Sequence, residues 1–356
     1  MLTGARQTGK TTLARAAYSD SLHYLDFEDL TLRSDVEAMH AREWATRVGP
    51  AILDEVHTAP SALDKVGHAY DTGGLDFTVL LGSSRSPLLD RVRESLAGRA
   101  SLYDLWPLML CELAAKSDQD VERPLLSRLI ASGTTEILAE EPVVRLGGDE
   151  RARSAFRHLE RWGGMPELLH LSGQDRRTWF RSFQQTFVER DLSGLVRLAD
   201  LQPFCKFQHL AMQHSGELVN YASLGDHAQI SPATARRYLE YLHLTYQVIL
   251  LRPYPENLTS QVVKSPKLYW SDIGLLRGGT ERWGDVDGKL FETLVVAECK
   301  KWISSGFEPA RLFFYRTRSG QQVDLLIKTP DGILGLEIRN RETTVGKDLR
   351  ALRAIA

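Results

Sequence analysis

Cysteine is scarce: Cys111, Cys205 and Cys299 lie far apart in the 356 residues and form no Cys-x-x-Cys pair. That excludes a disulfide framework and a thiolate metal site, and it points to a reducing, cytoplasmic setting. No segment reaches the roughly 18 consecutive apolar residues of a membrane-spanning helix. The most apolar stretch, Leu102 to Ala115, is interrupted by Asp104, Pro107 and Glu112, so no membrane partner is expected. An excess of one charge is missing too: 44 Lys and Arg face 46 Asp and Glu, a formal net charge of -2. No global basic field draws nucleic acid, which leaves only a local patch open. The ten histidines show no His-x-x-x-His spacing, the usual helical metal motif. What is present, 43% hydrophobic and 25% charged residues, is the composition of an ordinary folded protein, long enough for two or three domains.

The strongest signal is Gly4-Ala5-Arg6-Gln7-Thr8-Gly9-Lys10-Thr11-Thr12, which has the Gly-x-x-x-x-Gly-Lys-Thr spacing of a phosphate loop. Two glycines let successive N–H groups turn inward around an anion, Lys10 reaches the outer phosphates, and the Thr11 hydroxyl suits Mg²⁺. Arg6, Gln7, Thr8 and Thr12 belong to the same expected cradle for ATP. Leu13 to Tyr18 reads as a helix whose positive end faces those phosphates. Only Met1-Leu2-Thr3 precede Gly4, where a strand of about five or six residues is usual. The first strand therefore reads as truncated, nucleotide binding is expected to be weaker than in a version extended upstream, and no secretory leader is expected.

Leu22 to Phe27 alternates and predicts a strand; Thr31 to Val48 predicts a polar helical stretch. Ala51-Ile52-Leu53-Asp54-Glu55 is then an apolar strand ending in two carboxylates. Beside a phosphate loop, this pattern assigns Asp54 to the Mg²⁺ water shell and Glu55 to the general base that activates water. Phe77 to Leu81 predicts another strand, ending in Gly82-Ser83-Ser84 at the same edge of a parallel sheet, where ligands bind. Ser83 or Ser84 reads as a contact to the γ-phosphate or the attacking water, or else as a serine-rich turn. Arg99, past a helical stretch with Arg91 and Arg93, is a candidate for stabilising phosphoryl charge, in cis or from a neighbouring subunit.

Gly-Ala-Arg-Gln-Thr-Gly-Lys-Thr-Thr, Leu-Asp-Glu-Val-His, Leu-Gly-Ser-Ser, and Leu-Ala-Gly-Arg-Ala followed by Leu-Trp-Pro-Leu occur in that order. Together they resemble the ATPase core of a large prokaryotic AAA-superfamily family whose members carry a C-terminal domain of unknown function. The resemblance implies a nucleotide-hydrolysing α/β core, a winged-helix segment and a restriction-endonuclease-like C-terminal fold.

Farther along, Phe180, Phe183, Phe187 and Val188 recur at helical spacing, a core stripe. In Ile230-Ser231-Pro232, Ser231 suits an N-cap and Pro232 a first helical position. Helix, turn, second helix and hairpin make a winged-helix module, with Thr234, Arg236 and Arg237 as candidate DNA contacts. Nearby acidic residues balance the charge, so a structural or protein-binding role stays open. Glu292 on a helix, and Asp324 and Glu337 on the second and third of three later strands, stand like the acidic residues of a metal-dependent nuclease. That pattern wants Glu-x-Lys and meets Glu337-Ile338-Arg339; arginine cannot readily trade a proton with water, which favours a scaffold or binding module. Only the helical stretch Val345 to Ile355 follows, so this fold reads as incomplete.

The expected architecture is thus α/β. A P-loop NTPase parallel sheet with a truncated first strand occupies residues 1–120, and a helical linker and bundle 121–203. A winged-helix module covers 204–265, and a degenerate nuclease-like α/β domain 266–356. The expected activity is Mg²⁺-dependent ATP hydrolysis driving or gating a C-terminal interaction module, with homo-oligomerisation open. The alternatives are a nucleotide-gated DNA-binding or regulatory protein with slow or no hydrolysis, and a metal-dependent nuclease.

Overall fold

Short apolar runs that end in a carboxylate or a glycine build a parallel sheet, because buried strands covered on both faces need no polar alternation. In a computed structural model, residues 1–18, 20–83, 96–116, 121–134, 136–140, 150–191, 201–255, 264–306, 309–317, 320–341 and 352–353 are described. Ser84, Arg91, Arg93 and most of the expected helix Val345 to Ile355 lie outside them. The chain divides into two units, Met1–Trp106 with Leu244–Tyr246, and Pro107–His243 with Gln247–Ala356.

In the first unit, strands β1 (Leu2–Gly4), β2 (His23–Asp26), β3 (Ala51–Asp54), β4 (Val79–Gly82) and β5 (Tyr103–Leu105) lie in the order β2-β3-β4-β1-β5. All four pairings are parallel. Although β1 has three residues, it is an inner strand: Leu2 stands opposite Leu81 on one side and Tyr103 on the other. Helices α1 (Lys10–Tyr18), α2 (Leu30–Ala38), α3 (Trp44–Arg47) and α4 (Ser61–Asp71) connect and flank the strands. The polar stretch expected as one helix breaks at Met39 and His40, both extended. The break turns Trp44, fully buried, into a core with Phe27, Leu53, Leu63 and Leu80. Burying each such side chain contributes roughly 1.5–3 kcal/mol.

Polar groups at the β1 edge are also satisfied. The Tyr246 hydroxyl, which clusters with this unit, donates to Asp104 Oδ1 at 2.6 Å and lies 2.5 Å from Thr3 Oγ1. The chain leaves β1 through a close passage, since a Cβ on Gly4 would lie 2.1 Å from the Leu105 carbonyl oxygen.

The second unit is helical first: α5 (Leu110–Ala114), α6 (Leu125–Ser132), α7 (Ile137–Glu140), α8 (Glu150–Trp162) and α9 (Gly173–Thr186). Phe180, Phe183 and Phe187 are buried as the stripe predicted. Next come α10 (Leu201–Gln213), β6 (Glu217–Leu218), α11 (Tyr221–Ala228), α12 (Pro232–Leu244), β7 (Val248–Leu251) and β8 (Lys267–Trp270), the strands forming an antiparallel sheet in the order β6-β8-β7. Helices α13 (Ile273–Thr280) and α14 (Gly288–Ser304) lead to β9 (Arg311–Arg316), β10 (Gln322–Lys328) and β11 (Ile333–Leu336), a second antiparallel sheet. Glu337 lies just past β11 rather than on it. The Ile338 N–H donates to the Asp324 carboxylate at 3.0 Å, and that side-chain acceptor ends the backbone ladder. Among the described residues no helix is long and apolar enough to cross a membrane.

Replacing Gly4 with alanine forces β1 away from β5. Urea denaturation should show a loss of about 1–3 kcal/mol, the usual cost of overpacking a closed site; unchanged stability would mean the passage is looser than its 2.1 Å approach implies.

Candidate functional site

The loop after β1 curls on itself before α1 begins. Gln7 (φ 61°) and Gly9 (φ 91°) take left-handed conformations, and Thr8 Oγ1 donates to the Ala5 carbonyl at 2.9 Å. The Lys10 side chain, in a residue 6% exposed, folds back across the turn; its ammonium donates to the Gly4 and Ala5 carbonyls at 3.1 and 2.8 Å. Helix α1 closes its first turn from Leu13 N–H to Gly9 O, so the helix starts with its N–H dipoles turned toward the loop. Arg6 lies 3.8 Å from Glu28, while Gln7 and Thr12 are exposed.

Asp54, 5% exposed, ends β3 beside this loop. Its Oδ2 accepts from Thr11 Oγ1 at 2.5 Å and from the Tyr24 hydroxyl at 2.9 Å, and its Oδ1 accepts from the Glu55 N–H at 2.9 Å. These bonds answer the cost of a buried carboxylate. Glu55 sits in the left-handed region (φ 49°, ψ 39°), a strain of order 1–3 kcal/mol for a non-glycine residue. Its Oε2 lies 3.1 Å from His57 Nδ1 and accepts from Ser83 Oγ at 3.4 Å. Burial pushes the Glu55 carboxyl up, but the hydrogen bond and charge of His57, with the charges of Lys10 and Arg6, more than offset it and hold it below the usual range. Burial first, then the Asp54 bond and charge, raises the Tyr24 hydroxyl above its ordinary value.

Loop, Thr11, Asp54, Glu55 and Ser83 therefore meet at one sheet edge. A hydroxyl beside a carboxylate is a hard-oxygen set that fits Mg²⁺, and a lysine with a helix N-terminus fits phosphate. Arg99 is not brought there. It pairs with Asp71 at 3.0 Å, the last residue of α4, and α4 returns the chain from the end of β3 to the start of β4 at the opposite edge. Tyr24 and His57 were missed by sequence reading. His57 was within sight, two residues past Glu55, whereas Tyr24 depends on the pairing of β2 with β3.

In the second unit, Glu292, Asp324 and Glu337 do gather, but around cations. Lys267, its side chain 2% exposed, places Nζ 2.8 Å from Glu292 Oε1 and 3.8 Å from Asp324 Oδ1. The Tyr269 hydroxyl also donates to Glu292. Arg339 donates to Asp324 Oδ2 at 2.9 Å and to Glu337. Among the described residues no group of three or more His, Cys, Asp or Glu side chains is arranged to hold a metal ion. Burial and the Asp324 charge, working against Arg339, push the Glu337 carboxyl up to about 7. Lys267 carries no motif that would have revealed it.

On α12, Ser231 Oγ accepts the Thr234 N–H at 3.1 Å, the expected cap. Arg236 and Arg237 are exposed and rest over the rings of Tyr221 and Tyr238, at 5.3 and 5.9 Å from the ring centroids. Thr234 is half-buried.

Residues 1–114 match an AAA domain, residues 153–280 a domain of unknown function (DUF8612), and residues 287–356 another domain of unknown function (DUF4143). Uncharacterized proteins from Mycobacterium bovis and Mycobacterium tuberculosis are each 27% identical to this chain over 366 residues, covering 99% of it and 72% of their own length. The AAA domain suggests ATP binding, with Mg²⁺ as the expected companion, and is compatible with ATPase activity.

A Glu337 carboxyl that holds its proton more tightly folded than unfolded adds stability below the ordinary glutamate range. That stability is lost as pH rises through about 7. Melting temperatures taken from pH 5 to pH 8 should therefore fall less in Glu337→Gln than in the unmodified chain; parallel profiles would contradict the raised value.

Proposed function

We propose that the chain binds ATP and hydrolyses it with Mg²⁺ to gate an interaction module in its C-terminal half. The observation that carries this reading is Asp54 Oδ2 held by Thr11 Oγ1 at 2.5 Å directly beside the phosphate loop, with the Glu55 carboxylate at the same strand end. Lys10 and the N–H groups opening α1 bind the outer phosphates, and Gly4 to Thr12 form the cradle. Thr11 and Asp54 would hold Mg²⁺, which when bound neutralises charge on the phosphate oxygens. Glu55 orients the attacking water and takes its proton. Ser83 and His57 aim the Glu55 carboxylate. Arg99, paired with Asp71 at the far edge, would act only on a neighbouring subunit's site, which ties its role to a homo-oligomer in the cytoplasm.

The order α10, β6, α11, α12, β7 supports a winged-helix module over residues 204–265, whose strands β6 and β7 both pair with β8 just beyond it. Its last helix, α12, presents Arg236 and Arg237 to solvent, which suits phosphate contacts to DNA. Residues 266–356 suit a nuclease-like fold kept as a scaffold, since Lys267 and Arg339 already pair with Glu292 and Asp324. Residues 1–120 then form the ATPase core and 121–203 the helical connection.

Glu55→Gln should retain ATP binding by calorimetry while phosphate release slows by about 10²–10⁴-fold, the share of a general base; equal turnover would remove Glu55 from that role. Lys10→Ala should instead weaken ATP binding itself. For the module, Arg236→Ala with Arg237→Ala should weaken duplex DNA binding and reduce the salt dependence by about two phosphate contacts. Negligible binding by the unmodified chain, with and without ATP, would exclude DNA as the partner.

A further inference from the structure

Tyr24 occupies a junction of three elements around the nucleotide site. Its hydroxyl donates to Asp54 Oδ2 at 2.9 Å, the same oxygen that accepts from Thr11 Oγ1. Its ring receives the Arg15 guanidinium at 4.6 Å from the centroid. Thr11 and Arg15 are one turn apart on the same face of α1. From β2, therefore, one side chain grips the carboxylate ending β3 and stacks on the helix that supplies the metal-side hydroxyl. Tyr24 is half-buried against the apolar cluster of Ala14, Ile52, Val79 and Leu81.

The consequence falls on Asp54. Without the Tyr24 hydroxyl, the hold on Oδ2 rests on Thr11 alone, the residue that also faces the cation, while the Glu55 N–H keeps Oδ1. Two donors on Oδ2 and one on Oδ1 fix both its plane and its rotation. Aligning a ligand carboxylate in this way is the work of outer partners at metal sites, and losing one usually lowers metal affinity by about 10–100-fold.

We propose that Tyr24 is a positioning residue for the divalent cation of the nucleotide site: by holding Asp54 Oδ2 it sets the affinity for Mg²⁺ without contributing to nucleotide affinity. The proposal rests on the reading of Asp54 as the Mg²⁺-organising residue. Arg15, on the ring face, keeps the hydroxyl on its target.

Tyr24→Phe in the full chain removes the hydroxyl and keeps the ring and its Arg15 contact. Two measurements test it: Mn²⁺ binding in the presence of ADP, followed by the free-Mn²⁺ electron paramagnetic resonance signal, and binding of a fluorescent ADP analogue in EDTA. Tyr24→Phe should weaken Mn²⁺ binding about tenfold and leave ADP binding in EDTA unchanged. Asp54→Asn, measured alongside, separates the two levels of the argument. If Asp54→Asn loses Mn²⁺ and Tyr24→Phe does not, Tyr24 is not a positioning residue. If neither moves Mn²⁺ affinity, the reading of Asp54 fails first. A fall in ADP affinity in EDTA for Tyr24→Phe would also overturn the proposal, because it would mark a general disturbance of the loop.

Discussion

Much of the first unit depends on a single buried carboxylate. Asp54 accepts from Thr11 on α1, from Tyr24 on β2 and from the backbone of Glu55 at the end of its own strand. A carboxylate at 5% exposure is tolerated only with such partners, so the three elements that supply them are held in register by the same group. The arrangement also explains why the adjacent Glu55 adopts a left-handed backbone: the chain must turn at once, giving its N–H to Asp54 and its side chain to His57 and Ser83. Strain of this kind, stored next to the phosphate loop, is where pre-organisation for chemistry is expected.

The sheet beneath it bears on the short first strand. A three-residue strand at a sheet edge would be marginal, but β1 pairs on both sides, with β4 and β5. Its backbone groups are used from two directions, and Thr3 joins Asp104 and Tyr246 in a polar contact below the loop. The close passage of Gly4 against Leu105 then brings the loop down onto the sheet.

The carboxylates of the second unit are handled differently. Beside the loop after β1, Asp54 is held by hydroxyls and an N–H, all neutral donors. Around Asp324 the Ile338 N–H and the Gln322 amide are joined by two fixed cations, Lys267 and Arg339, which offset its charge. Similar acidic residues thus differ in their neighbours: Asp54 has neutral donors alone, whereas Asp324 also has fixed cations. Glu337 remains the exception, since Arg339 does not fully compensate its burial and the Asp324 charge.

The sequence by itself determined the local chemistry: the phosphate loop, the Asp54-Glu55 strand end, the serine after β4, the Ser231 cap and the phenylalanine stripe all follow from spacing and side-chain type. Such features depend on residues close together in the chain, which is why they are legible. What the tertiary structure decided was every long-range partnership. Parallel pairing placed Tyr24 beside Asp54 and sent Arg99 to the far edge with Asp71. The return of β8 to the later carboxylates put Lys267 among them, and a side-chain acceptor on β10 ended β11 before Glu337. None of these has a periodic signature, because strand order and the identity of a buried charge's counter-ion are fixed by packing between segments that the sequence keeps far apart.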